Sequence, residues 1–188
     1  MSSPDILIEV SWEVCNMVGG IHTVLATKVR AMQARYGTRY IVVGPDLARA
    51  EGTRPVFREE IWHAGLHEAL ADAPVGCRMG RWLVPGEPRC LLVDHNALLA
   101  HKDAILAQYW EWYRLDSIAG GWDYLEPVMF SHAVGQAVER LASAYFLPRQ
   151  LAVVVQSHEW LTGATLLYLK RRVPEVGTVF TTHATTLG

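Results

Sequence analysis

The chain has little cysteine, no concentration of positive charge and no long apolar run, and each shortage removes a class of protein. Its three cysteines, Cys15, Cys77 and Cys90, stand far apart among 188 residues and form no metal-ligand pair, so neither a disulfide framework nor a metal module is expected. They read as small buried hydrophobes in a reducing compartment. Lys and Arg number 17 against 19 Asp and Glu, a formal charge of −2 without a basic cluster, which argues against nucleic acid as a partner. No apolar stretch approaches the roughly 20 residues of a bilayer span, so no membrane partner is expected. Asp5 and Glu9 surround the first apolar run and no basic region precedes it; a signal peptide is not expected, and the expected compartment is the cytoplasm. Linkers, low-complexity tracts and internal repeats are missing too, which leaves one domain over residues 1–188.

What is present is an alternation of short apolar runs and amphipathic stretches. With 51% hydrophobic and 19% charged residues, the chain has an ordinary globular balance that excludes disorder. Residues 5–11 read as a central strand. After Gly19 and Gly20, residues Ile21, Leu25, Val29 and Met32 recur at helical spacing up to Gly37, and residues 40–43 form a second strand closed by Gly44 and Pro45. Strand, helix and strand within about forty residues make a βαβ unit with a parallel sheet and a right-handed crossover. Beyond a polar loop over 46–55, a helix is expected over 59–71 with Ile61, Leu66 and Leu70 on its apolar side. Strand segments over 76–83 and 89–93 flank the turn Pro85-Gly86-Glu87-Pro88 and pair as a hairpin. Helices are expected over 96–115 and 123–146, broken by Gly120 and Gly121 and stopped by Pro148. A strand over 151–155, a helix over 161–172 and a strand over 177–182 repeat the opening grammar. The fold class is α/β, a doubly wound, mostly parallel, Rossmann-like sheet.

Ligands bind outside the carboxyl ends of such strands, which selects three turns. At the first, Gly19 and Gly20 remove two Cβ atoms where a strand meets a helix; the pair serves either as a tight packing turn or as a cradle for a phosphate or sugar hydroxyl. It matches neither G-x-G-x-x-G nor a P-loop. The second turn, Gln156 to Trp160, carries His158, which either caps the next helix or faces a ligand. The third holds Thr182 and His183. Elsewhere His63 and His67, four apart beside Glu59 and Glu60, fit a solvated helix face better than a metal site. The aromatics Tyr109, Trp110, Trp112 and Tyr113 suit helix packing better than sugar stacking. No Ser-His-Asp set or close carboxylate pair is evident; Glu13 and Glu159 meet only if the fold brings them together.

Four stretches together resemble animal and fungal glycogen synthases. They are W-E-V-C-N-M-V-G-G-I-H-T-V-L over 12–25 with Thr27 and Lys28, G-R-W-L over 80–83, H-E-W-L over 158–161 with Gly163, and F-T-T-H-A-T over 180–185 with Leu187 and Gly188. The resemblance covers the whole chain in order. It implies the N-terminal, acceptor-side half of a retaining glucosyltransferase of the two-domain GT-B type, which moves glucose from a nucleotide sugar to the non-reducing end of an α-1,4-glucan. It also implies no metal and no cofactor. Gly19, Gly20 and Asn16 inherit donor binding, and His158 inherits the catalytic place beside the transferred glucose, positioning the sugar and stabilising the oxocarbenium-like centre; Glu13, Glu159, Trp160, Thr182 and His183 are expected to line the cleft. Val18, where bacterial enzymes that use ADP-glucose carry a lysine, favours UDP-glucose as the donor. His22 and Thr162 depart from the tyrosine and alanine common in the family. The family's C-terminal nucleotide-binding domain, which supplies further catalytic side chains, is absent, so this stretch alone is expected to be inactive. The alternative is a non-catalytic module that binds glucan or a sugar nucleotide.

Overall fold

The computed structural model describes residues 3–48 and 54–183. The apolar run near the N-terminus forms β1 (Ile6–Val10), buried along its whole length. The glycine pair leads into α1 (Gly20–Tyr36), which Gly37 ends with φ 58°, and β2 (Tyr40–Pro45) follows. Next come β3 (Phe57–Glu59), α2 (Ala64–Ala71) and the hairpin of β4 (Cys77–Trp82) and β5 (Arg89–Val93). The second half holds α3 (Lys102–Tyr113), α4 (Trp122–Leu141), β6 (Val153–His158), α5 (Gly163–Arg172) and β7 (Gly177–Thr181).

The strands form one sheet in the order β3-β4-β5-β2-β1-β6-β7. From β5 to β7 neighbouring strands run parallel, whereas β3 and β4 are antiparallel at one edge. The sheet is doubly wound, as the alternation of elements implies. On one face Leu25 and Val29 of α1 pack with Leu7, Tyr40, Val42 and the fully buried Trp82. On the other, α2 to α5 cover Ile8, Val10, Ile41 and Val43 with Phe130, Val134 and Leu169. Chain order reverses at β1, whose neighbours β2 and β6 are reached in opposite directions, so the crevice for a ligand opens at the carboxyl end of β1. Among the described residues no helix is long and apolar enough to cross a membrane.

Several boundaries move, each for a reason of pairing. The helix expected over 59–71 begins only at Ala64. Residues 57–60 instead extend along the hairpin, with Glu60 N–H on the Met79 carbonyl (3.0 Å) and the Trp62 indole N–H on the Gly80 carbonyl (2.8 Å). Ile61 is consequently 65% exposed, while Leu66 and Leu70 are buried. The strand expected over 151–155 runs on to His158, because β1 and β7 supply ladder partners through Ser157 and His158. Residues 96–101 wind as a 3-10 turn before α3, which stops at a left-handed Arg114 (φ 59°). After α4 the chain passes through a π-helical turn, Ala142–Phe146, and leaves the helix at Gln150, two residues past Pro148. The last strand ends at Thr181, one residue short of expectation. The expected loop is irregular over 46–48 and 54–56; its remainder, and Ala184, Thr185, Leu187 and Gly188 of the last motif, lie outside the described residues.

Candidate active site

The carboxyl ends of β1, β6 and β7 and the first turn of α1 enclose an open cleft of about 570 Å³, lined by Glu13, Gly20, Ile21, Glu159, Trp160 and His183 among others. Residues far apart in sequence therefore meet where the strand pattern places them. Glu13 and Glu159, unrelated in the sequence, share this cleft.

Glu13 sits at the mouth of α1. Its Oε2 accepts the backbone N–H groups of Gly19 (2.8 Å) and His22 (3.0 Å), amides that a helix start leaves without intrahelical partners. The carboxylate also suits the positive end of the helix dipole. Gly20 and Ile21, in the first turn of α1, line the cleft. A Cβ at Gly19 would come within 3.1 Å of Glu13 Oε1, but one at Gly20 would meet nothing within 4 Å among the described residues. His22 turns away from the cleft, its Nδ1 3.2 Å from the Glu13 carbonyl and its ring edge-on to Trp82.

His158, the last residue of β6, is only 1% exposed. Its ring lies stacked beneath that of His183, with Nδ1 2.8 Å from His183 Nε2. Thr162 ties down its carbonyl (2.7 Å). The next residue, Glu159, adopts φ 63° and ψ 171°, a region used almost only by glycine and costing about 1–3 kcal/mol. That bend is held by Glu159 N–H on the Thr181 carbonyl (2.9 Å) and by the Glu159 carboxylate, which accepts His183 N–H. It throws the Glu159 side chain and the 54% exposed Trp160 indole onto the cleft wall. Burial and the neighbouring His158 push the His183 imidazole below its ordinary value.

Beneath His158 lies a group that the motifs did not single out. Glu9 of β1 is fully buried; Lys28 Nζ donates to its Oε1 (2.6 Å) and Tyr40 Oη to its Oε2 (2.5 Å). Burial alone would raise this carboxyl, but His158, Lys28 and Tyr40 together hold it below its ordinary value. The signal was present in the sequence: one carboxylate inside the apolar run Ile6-Leu7-Ile8-Glu9-Val10 must find partners when the strand is central.

Not every selected residue joins the cleft. Asn16 donates to the Trp12 carbonyl (3.2 Å) and lines a neighbouring cavity of about 720 Å³ with Asp46, Arg78 and Asn96. Thr182 is exposed beside His183 and outside the lining. His63 caps α2 by accepting Gly65 N–H (3.1 Å) and packs edge-on to Tyr145. Among the described residues no group of three or more His, Cys, Asp or Glu is placed to hold a metal ion. Tyr109 is buried and Tyr113 half-buried, each hydroxyl on a carbonyl of α5, while Trp110 points outward at 46% exposure.

Comparison with known proteins agrees with the motifs. A family profile described as glycogen synthase matches residues 9–188. The glycogen [starch] synthase of Neurospora crassa is 32% identical over 97% of this chain and 26% of its own length. The Dictyostelium discoideum protein of the same name is 31% identical over 100% of this chain and 21% of its own. The human liver form is 31% identical over 97% and 26%. This chain thus spans about a quarter of the length of the relatives it matches. The catalytic domain of starch synthase IV from Arabidopsis thaliana, bound to ADP and acarbose, aligns with a TM-score of 0.48 at 14% identity, over 96% of this chain and 34% of that one.

Proposed function

The chain belongs to the glycogen synthase family, and from that premise we propose that it supplies part of the acceptor-side, N-terminal half of a retaining GT-B glucosyltransferase. The reaction is transfer of glucose from a nucleotide sugar, UDP-glucose in preference to ADP-glucose, to the non-reducing end of an α-1,4-glucan. The observation that carries this reading is Gly20. Its φ lies outside the left-handed region and a Cβ there would meet nothing within 4 Å among the described residues, so none of their packing requires glycine at this position. A ligand passing close over the first turn of α1 supplies the need.

The charges in the cleft fit a divided task. Glu13, Glu159 and His183 line it with His158 buried directly beneath His183, no Lys or Arg lines it among the described residues, and Lys28 is committed to Glu9. Such a wall suits sugar hydroxyls and the positive charge that develops at the anomeric carbon as the glycosidic bond to phosphate breaks. It does not neutralise a leaving diphosphate beyond what the first turn of α1 offers. That role falls to a second Rossmann-like domain across the cleft. His158 positions the transferred glucose, and Trp160 offers a flat apolar face to a sugar ring.

The test uses the enzyme completed with its C-terminal half. Gly20→Ala is expected to leave the isolated chain as stable as wild type or more so, by up to about 1 kcal/mol. Gly20→Val in the completed enzyme is expected to lose transfer to glycogen at least about tenfold, through a clash made only with ligand. His158→Ala is expected to lose several orders of magnitude. Wild-type transfer by Gly20→Val would overturn the role of the turn; wild-type transfer by His158→Ala would overturn the role of the histidine.

A further inference from the structure

We infer that Glu9 is a positioning residue for His158: its buried carboxylate fixes the imidazole with the proton on Nε2, leaving Nδ1 to accept a hydrogen bond from a sugar hydroxyl. The inference rests on the reading of His158 as the residue beside the transferred glucose, and it adds which ring nitrogen does the work.

The geometry constrains the carboxylate first. Glu9 Oε1 and Oε2 are each tied, to Lys28 Nζ at 2.6 Å and to Tyr40 Oη at 2.5 Å, so the group cannot rotate within the core. Lys28 reaches in from α1 and Tyr40 from β2, which fastens Glu9 to two elements besides its own strand. His158 Nε2 then lies 3.8 Å from Oε1, buried, and among the described residues it has no hydrogen-bond partner, Lys28 included. A lone pair on Nε2 would point at a carboxylate oxygen and be repelled, whereas an N–H there points at negative charge across a short gap. In a buried site of low effective dielectric that difference decides the tautomer.

The other ring nitrogen follows. With the proton on Nε2, Nδ1 is an acceptor, and the partner at 2.8 Å is His183 Nε2, which donates. His183 holds the place at Nδ1 that a sugar hydroxyl takes when it enters from the cleft. A ring held from below by Glu9 and tied at its carbonyl by Thr162 presents that lone pair in one direction only, which is what selective recognition of one hydroxyl requires.

The experiment reads the tautomer directly, by nitrogen-15 NMR of the labelled 188-residue chain, with the His158 signals assigned through their loss in His158→Gln. The expected result is a protonated Nε2 and an unprotonated Nδ1 in wild type, and a mixed or reversed tautomer in Glu9→Gln. Tyr40→Phe, which removes one donor but leaves the carboxylate facing Nε2, is expected to keep the Nε2–H form. In the completed enzyme Glu9→Gln is expected to lower kcat by about tenfold or more with KM for the nucleotide sugar changed far less, the pattern of a misaligned reacting group. A wild-type His158 protonated on Nδ1 overturns the inference, even where Glu9→Gln does not fold. So does an unchanged tautomer in Glu9→Gln. Failure of the underlying reading looks different: His158→Ala would then transfer glucose normally while the Nε2–H tautomer stood as found.

Discussion

His132 of α4 is 3% exposed, its ring edge-on to both Tyr109 and Tyr168. Burial pushes its imidazole down to about 4, against an upward pull from Glu139. In the unfolded chain the same group titrates near 6.5. Between those values the unfolded state binds a proton that the folded state refuses. The contribution of His132 to stability is therefore complete above about pH 6.5 and shrinks as pH falls through the window, by about 3 kcal/mol at its lower end. Urea unfolding of wild type and His132→Phe from pH 7 to pH 4.5 checks this, with the steeper decline expected in wild type; parallel declines would refute it. Single residues were the least legible part of the sequence. Glycine pairs, His158 and Trp160 announce themselves through motif and strand-end position, and the cleft gathers Glu13, Glu159 and His183 around them. Glu9 did not, because its role depends on Lys28 and Tyr40 arriving from other elements. Asn16 belongs to the same motif as Gly19, yet the turn of the chain at Cys15, with φ 58°, sends its side chain toward the Trp12 carbonyl and the neighbouring cavity.

At the scale of elements, the closeness of α4 and α5 depends on Gly135. A Cβ there would lie 2.6 Å from Tyr168 Cγ and 2.9 Å from its Cβ, and Tyr168 cannot retreat because its hydroxyl is fixed on Glu139 (2.5 Å). Alanine in a helix interior is worth about 1 kcal/mol over glycine, whereas overpacking a tight contact costs about 1–3 kcal/mol. Gly135→Ala is thus expected to destabilise by up to about 2 kcal/mol, seen as a lower Tm; a higher Tm would show that the helices separate freely. Types of element were legible throughout the sheet, since central strands of a parallel sheet read as unbroken apolar runs and α1 shows its stripe plainly. Ends were less so. Gln156, Ser157 and His158 look like a polar turn, but a strand flanked on both sides continues as long as its neighbours offer ladder groups. Glu59 and Glu60 look helical, but Arg78 and Arg81 hold them to the hairpin through ion pairs at 2.7 Å. Pairing across sequence separations of about twenty residues overrode local propensity there.

At the scale of the whole molecule, the order β3-β4-β5-β2-β1-β6-β7 sets β1 beside both βαβ halves and β7 at a flank. The parallel, doubly wound plan was legible because alternation of strand and helix admits few other arrangements. The antiparallel hairpin and β3, which close the opposite flank, were half legible: the turn residues gave the hairpin, and nothing gave β3. The β7 flank has its own consequence for handling the chain in solution. Among the described residues no strand lies outside β7, and Val179 and Phe180 are 44% and 50% exposed. A strand with free backbone groups and apolar side chains is a template for another copy of itself. The isolated 188-residue chain is expected to self-associate as its concentration rises, read as a growing sedimentation coefficient, and Val179→Lys is expected to suppress it; a concentration-independent coefficient would exclude the effect. Purification yield and crystallisability then hinge on shielding one flank, and a short soluble peptide of alternating apolar residues becomes a reagent for doing so.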